Sequence, residues 1–149
     1  MQLQGKVAIV TAAGRGIGRG IALILARAGA QVVVNSYAAD TTAETVAQIN
    51  QSGGKSSSVV GDITDPGKML ELRDHALNQY GQIDILVNNV GAAPKQAIES
   101  DQHELGPVAG VWNALYAQNL LPVVQMTEAV LTHMRQRRSG KIIIISSIA

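Results

Sequence analysis

Residues 11 to 18, Thr-Ala-Ala-Gly-Arg-Gly-Ile-Gly, combine small side chains with spaced glycines at the point where one kind of periodicity gives way to another. Before them, Val7-Ala8-Ile9-Val10 is a short, continuous apolar run and reads as a buried strand. After them, Ile17, Ile21, Leu23, Ile24, Leu25 and Ala28 read as the apolar positions of a helix. A strand that breaks into a glycine loop and enters a helix N-terminus can hold a pyrophosphate. The first helical amides have no partner within the helix and carry partial positive charge, and small residues let the phosphate approach the backbone. Glycine spacing alone is a weak signal; the opening of a βαβ unit is the context that gives it meaning.

The elements that would position this loop follow in order. Gly29 stops the first helix, and Gln31 to Asn35 is a second buried strand. Asp40 or Thr41 is expected to cap the next helix, with Thr41 and Glu44 fitting a capping box. That helix ends near Ser52-Gly53-Gly54, and Ser57 to Val60 is a weaker third strand. Asp65 before Pro66 reads as an N-cap with proline at the first helical position, opening a helix that reaches about Tyr80-Gly81. Ile83 to Val87 is the fourth strand and Lys141 to Ile145 the fifth. Between them, residues 92 to 106 read as a loop and Pro107 to Arg138 as a long helix. Pro122 is expected to kink that helix, because it lacks the amide for the Gln118 carbonyl.

Strands that are apolar on both faces and alternate with helices imply an α/β fold, a parallel sheet covered on both sides. Right-handed crossovers make it doubly wound, with the expected order 3-2-1-4-5. Ligands bind such sheets at the carboxyl ends of the strands. The small and polar residues collect there: Thr11 to Gly18, Asn35-Ser36, Asp62, Asn88 to Gly91 and Ser146-Ser147.

Composition narrows the field. The chain has 149 residues, 46% of them apolar, a net charge of +1 and no cysteine. It suits one domain with a real core and excludes disulfide and thiolate chemistry. His75, His103 and His133 lack metal-ligand spacing, so no metal site is expected. No apolar run approaches the roughly 20 residues of a membrane span, and the N-terminus lacks a signal peptide's apolar region, so a cytoplasmic protein without a membrane partner is expected. Arg135, Arg137, Arg138 and Lys141 gather near a helix C-terminus, where cations offset the dipole, and have few aromatics nearby; nucleic acid is not expected as a partner.

The strand-end residues together resemble the short-chain dehydrogenase/reductase family, in particular its classical members such as 3-oxoacyl-carrier-protein reductases, over essentially the whole chain. Thr11 to Gly18 is similar to the family's Thr-Gly-x-x-x-Gly-Ile-Gly, with Ala12 in place of the first glycine and a turn tightened by its methyl. Asn88-Asn89-Val90-Gly91 resembles its Asn-Asn-Ala-Gly turn. Trp112, Asn119, Leu120 and Thr127 resemble the helix of its catalytic asparagine, and Lys141 to Ser147 its serine-bearing strand.

The resemblance implies a Rossmann fold, of which this would be the N-terminal five-strand part, and hydride transfer between a nicotinamide cofactor and a carbonyl or alcohol. Asn119 and Ser147 would be catalytic. Ala12, Gly14, Arg15, Gly16, Ile17, Gly18, Asn35, Ser36, Asp62, Ile63, Asn89, Val90 and Gly91 would bind the cofactor, Asp62 and Ile63 at the adenine. The uncharged strand end Asn35-Ser36-Tyr37 and the nearby Arg15 lean towards NADP, with NAD as the alternative.

The family's Tyr-x-x-x-Lys is not matched. Tyr37 is followed four residues on by Thr41, Tyr80 by Asp84 and Tyr116 by Leu120. Without that segment, Ile142 to Ile145 would be an edge strand apolar on both faces, which recruits other strands; the expectation is a homo-oligomer, or a chain completed by a further segment or subunit. The competing reading is a truncated, non-catalytic subunit that binds dinucleotide or pairs with a complete homologue.

Overall fold

In a computed structural model of the chain, residues 2–92 and 109–147 are described. A five-stranded sheet forms in the order β3-β2-β1-β4-β5, with every neighbouring pair parallel. The strands are β1 (Val7–Val10), β2 (Gln31–Ser36), β3 (Lys55–Val60), β4 (Ile85–Asn88) and β5 (Lys141–Ile144). The helices are α1 (Gly16–Arg27), α2 (Ala39–Gln51), α3 (Pro66–Tyr80), α4 (Ala109–Leu115) and α5 (Leu121–Arg137). Element types and strand order agree with the sequence reading, though β3 begins two residues earlier than expected and β4 two later. The expected loop at 92 to 106 and the helix start at Pro107 fall almost wholly outside the described residues.

Alternation along the central strands feeds two cores. Ile9, Val33 and Leu86 face Leu72, Met126 and Val130 on one side of the sheet. Ala8, Val10, Val32, Val34 and Val87 face Ala22, Ala26 and Ile49 on the other. β1, between two strands and covered on both faces, is fully buried from Val7 to Val10, as apolar residues at every position require. β5 is an edge among the described residues, and Ile144 on it is 57% exposed.

The sheet-facing side of α1 differs from the expected one. Gly18, Ala22 and Ala26 are its buried residues, whereas Ile17 and Ile24 are exposed. A stripe of small residues lets the helix axis lie close to the sheet, which brings its first turn down onto the glycine loop. The expected cap of α2 is also absent. Ala38 occupies the N-cap position and makes no side-chain capping bond. The Thr42 hydroxyl donates back to the Ala38 carbonyl at 2.6 Å, and Glu44 turns away to pair with Arg19. By contrast, Asp65 caps α3 as expected, accepting from the Gly67 amide at 2.8 Å, with Pro66 in the first turn.

The discontinuity expected at Pro122 takes the form of a π turn over Tyr116–Leu120, between α4 and α5. The Leu121 amide reaches back five residues to the Tyr116 carbonyl. One extra residue in the turn accommodates a proline that cannot donate, and such turns are frequent at functional sites.

Candidate functional site

The carboxyl ends of β1, β2, β3 and β4 and the π turn surround an open cleft of about 910 Å³, within the range of ligand-binding clefts. It is lined by Ala12, Arg15, Gly16 and Ile17 from the glycine loop, Asn35 to Tyr37 after β2, Gly61 to Thr64 after β3, and Asn89 to Ala92 after β4. Of the thirteen residues expected to bind a cofactor, Gly14 and Gly18 alone do not line the cleft. Both are buried behind it, and they build the loop.

Each loop glycine has its own steric reason. A Cβ on Gly18 would lie 2.5 Å from both the Ala12 carbonyl oxygen and Asn89 Nδ2, so a side chain there would push the loop off β4. A Cβ on Gly14 would meet Ser36 Oγ at 2.6 Å and Thr41 Oγ1 at 2.7 Å. Gly16, at φ +56°, has nothing within 4 Å of a Cβ. That open space is at the start of α1, where the free amides are, and it suits a phosphate group. Ala12 also has a left-handed backbone, φ +49°, a conformation that costs an alanine energy and a glycine almost none. The methyl at this position therefore strains the backbone.

Thr11 and Asn89 join the loop to the turn after β4. The Asn89 amide donates to Thr11 Oγ1 at 3.0 Å, and Asn89 Nδ2 donates to the Ala12 carbonyl at 3.2 Å. Asn88, one residue earlier, points to the opposite side, where its Nδ2 donates to the Thr127 hydroxyl of α5 at 3.2 Å. Two adjacent asparagines thus tie β4 to the loop on one side and to the long helix on the other.

Asn119, in the π turn, is brought to the same end. Its Oδ1 accepts from the Ala92 amide at 2.8 Å, and its Nδ2 donates to the carbonyls of Ala92 and Leu115, both at 3.0 Å. Ser147 lies three residues beyond β5 and is exposed at the same edge of the sheet.

The remaining candidates divide by environment. Asp62, exposed on the rim, accepts from the Thr64 amide and hydroxyl, each at 2.9 Å. Ile63 is buried and contributes to the core beneath it. Asn35 is almost fully buried, and its Nδ2 is committed to the carbonyls of Val59 and Gly61, both at 3.1 Å, which fixes the end of β3. Ser36 is also buried, so the exposed group at the end of β2 is Tyr37; Arg15, exposed in the glycine loop, lines the same cleft.

Sequence reasoning missed Arg19, Thr45 and Asp84. Arg19 and Thr45 bond the glycine loop from behind. Asp84 sits at the opposite end of the sheet and is 4% exposed. Its carboxylate accepts from the Val7 amide at 2.9 Å and from Gln82 Nε2 at 2.7 Å, and it pairs with Arg137 at 3.2 Å and Lys6 at 3.5 Å. Burial pushes its pKa up, but the Val7 amide, Arg137 and Lys6 together outweigh burial and hold it below the ordinary carboxylate value. An acid at the start of a strand, with basic residues far away in sequence, gave no local sign of this cluster.

The histidines with described positions are occupied by structural bonds: His75 Nε2 with Ser57 Oγ at 2.9 Å, and His133 Nε2 with the Ile83 amide at 3.2 Å. His103 lies outside the described residues. Among the described residues no cluster of His, Cys, Asp and Glu could hold a metal, and no helix is long and apolar enough to cross a membrane.

A doubly wound parallel sheet whose glycine loop opens a helix at the carboxyl edge defines a dinucleotide-binding class of protein. Residues 6–149 match the family model described as short chain dehydrogenase, and the chain belongs to that family. It is 36% identical over 149 residues to the 7alpha-hydroxysteroid dehydrogenase of Escherichia coli K12, covering 100% of this chain and 56% of that protein. It is 32% identical over 148 residues to the 3-oxoacyl-[acyl-carrier-protein] reductase of the same organism, covering 99% of this chain and 57% of the reductase. Among solved structures, a metagenomic short-chain oxidoreductase in complex with NADP superposes with a TM-score of 0.87 at 31% identity, covering all of this chain and 65% of the other. A 7 alpha-hydroxysteroid dehydrogenase complexed with NADH and 7-oxo glycochenodeoxycholic acid gives 0.87 at 33% identity, covering 99% and 55%. The chain thus spans a little over half to about two thirds of the length of these relatives.

Proposed function

We propose that the chain forms the cofactor-binding part of an NAD(P)-dependent oxidoreductase that interconverts a carbonyl and an alcohol, with NADP as its preferred cofactor. The observation that carries this reading is the cleft itself. One continuous depression joins the open space over Gly16 to the exposed end of β2 on one side and to the Asn89–Ala92 turn on the other. A dinucleotide has the same sequence of parts, with a pyrophosphate between two nucleosides.

The bound nicotinamide would supply the hydride chemistry. In this chain, the free amides at the start of α1 receive the pyrophosphate, and Gly16 keeps the approach open. The Asp62 carboxylate, fixed by Thr64, offers an acceptor to the adenine edge, and Ile63 forms the floor beneath. Ser147 offers a hydroxyl donor to a carbonyl oxygen as negative charge builds there. Asn119 holds Ala92, and with it the turn after β4, on the nicotinamide side. None of Tyr37, Tyr80 and Tyr116 stands in a Tyr-x-x-x-Lys segment, so the reading assigns the proton donor to a further segment or subunit.

The preference for NADP follows from charge. The end of β2 carries no acid to repel a 2′-phosphate, and exposed Arg15 lines the same cleft. The test uses the protein expressed from its complete reading frame. Wild type should bind NADPH more tightly than NADH. Arg15→Ala should lose about tenfold or more for NADPH, the scale of a charge-assisted hydrogen bond, and little for NADH. Tighter wild-type binding of NADH would overturn the preference. Failure to bind either cofactor would overturn the whole reading. Asn35→Asp is a poor probe, because a carboxylate there would face the Val59 and Gly61 carbonyls that the amide now bonds.

A further inference from the structure

We propose that Arg19 is the positioning residue of the phosphate cradle, acting through the Gly14 carbonyl; the inference rests on the dinucleotide reading above. Arg19 lies one turn into α1, and its side chain folds back beneath the loop. Nε donates to the Gly14 carbonyl at 3.0 Å, and Nη2 donates to the same oxygen. Nη2 also reaches the Thr41 carbonyl at 3.3 Å and Glu44 Oε2 at 2.9 Å on α2. Thr45, fully buried on α2, accepts from Arg19 Nε at 3.0 Å, and its hydroxyl lies 3.1 Å from the Ala13 carbonyl and 3.3 Å from that of Gly14.

The consequence follows from peptide geometry. In a trans peptide the carbonyl and the following amide point in opposite directions. Anchoring the Gly14 carbonyl against Arg19 and Thr45 therefore turns the Arg15 amide the other way, towards the cleft that Arg15, Gly16 and Ile17 line. The guanidinium is directed away from the cleft and its charge is balanced by Glu44. Its effect on a bound anion is thus exerted through the direction of a backbone dipole. The same clamp ties the loop to the start of α2, which leads directly from the end of β2.

The test separates this role from a general loss of stability. Calorimetric titration of the complete protein uses two probes, ADP-ribose, which carries a pyrophosphate, and adenosine, which carries none. Arg19→Ala should raise the Kd for ADP-ribose about tenfold, the scale of one hydrogen bond to a charged group, while the Kd for adenosine stays within about twofold. Arg19→Lys, which keeps the charge but cannot fork across the Gly14 carbonyl, should fold normally and fall between wild type and Arg19→Ala for ADP-ribose. Equal losses for both probes would reduce Arg19 to a structural residue and overturn the inference. So would unchanged ADP-ribose binding in both variants. Wild-type protein that binds no ADP-ribose would overturn the dinucleotide reading itself, a result distinct from either.

Discussion

Asn119 and Ala92 bond one another in both directions, the Ala92 amide donating to Oδ1 and Nδ2 donating to the Ala92 carbonyl. This amide-to-backbone pairing mimics one rung of a sheet and connects the π turn to the segment after β4. It also explains why the π turn is useful: a side chain at Asn119 is held at the carboxyl edge of the sheet while Leu121 and Pro122 begin the next helix.

Asn119→Ala should therefore release Ala92 and the turn before it. In an assay of the complete protein, kcat is expected to fall by about 10- to 100-fold, the scale of a misplacement near 1 Å at a reacting centre. The Kd for NADPH should change less than kcat, because Asn89 still holds the turn to the glycine loop through Thr11 and Ala12. Steady-state kinetics with a direct binding titration check both parts. A weakened cofactor Kd with kcat unchanged would contradict the assignment.

Ala12 offers a test of backbone strain at the cradle. At φ +49° its methyl carries a backbone cost. Ala12→Gly should stabilise the protein by about 0.5–1 kcal/mol, after the entropy that glycine adds to the unfolded chain. Cofactor affinity should be retained or improved. Chemical denaturation, comparing midpoints at constant m, reads the result. A loss of stability would show that the Ala12 methyl makes a contact worth more than its strain.

Asp84 sets an acid limit on stability. Its native pKa is depressed below the ordinary value of 3.8, so its contribution is fully present above that value. It is lost progressively as pH falls through the ordinary value towards the native one. Urea denaturation as a function of pH should show this decline below about pH 4, and Asp84→Asn should flatten it. At neutral pH, Asp84→Ala should cost about 2–4 kcal/mol, because it strands the buried Val7 amide and unpairs Arg137 and Lys6. An unchanged acid limb in Asp84→Asn would show that other groups control it. Since Asp84 lies at the end of the sheet remote from the cleft, cofactor affinity should not follow this titration.

The fold was legible in the sequence because its cause is local and repeated. Val7 to Val10, Val32 to Val34 and Leu86-Val87 are apolar at consecutive positions, and that pattern suits only strands buried on both faces. Handedness of the crossovers then restricted the strand order. The loop from Thr11 to Gly18 was equally visible, since glycines between a strand and a helix are a backbone requirement. Which glycine answers to which neighbour was not visible. Gly18 is constrained by Ala12 and Asn89, and Gly14 by Ser36 and Thr41, contacts that exist only once β1, β2 and β4 lie side by side.

The same division applies to single residues. Asp65 caps α3 as read from the chain, because a cap is settled within three residues. The expected capping box of α2 failed because Glu44 pairs with Arg19, twenty-five residues away, in place of its own helix end. Asn35 lines the cleft at the end of its strand, but packing commits its Nδ2 to the carbonyls of Val59 and Gly61. Nothing in the sequence around Arg19 marks it, yet packing of α1 against α2 brings it beneath the loop. Sequence by itself determined the elements, their order and the edge at which they converge, because hydrophobic period and chain chirality act at short range. Tertiary structure alone decided which polar side chains face the cleft and which hold it in shape, because a buried donor or acceptor must take whatever partner the neighbouring element brings.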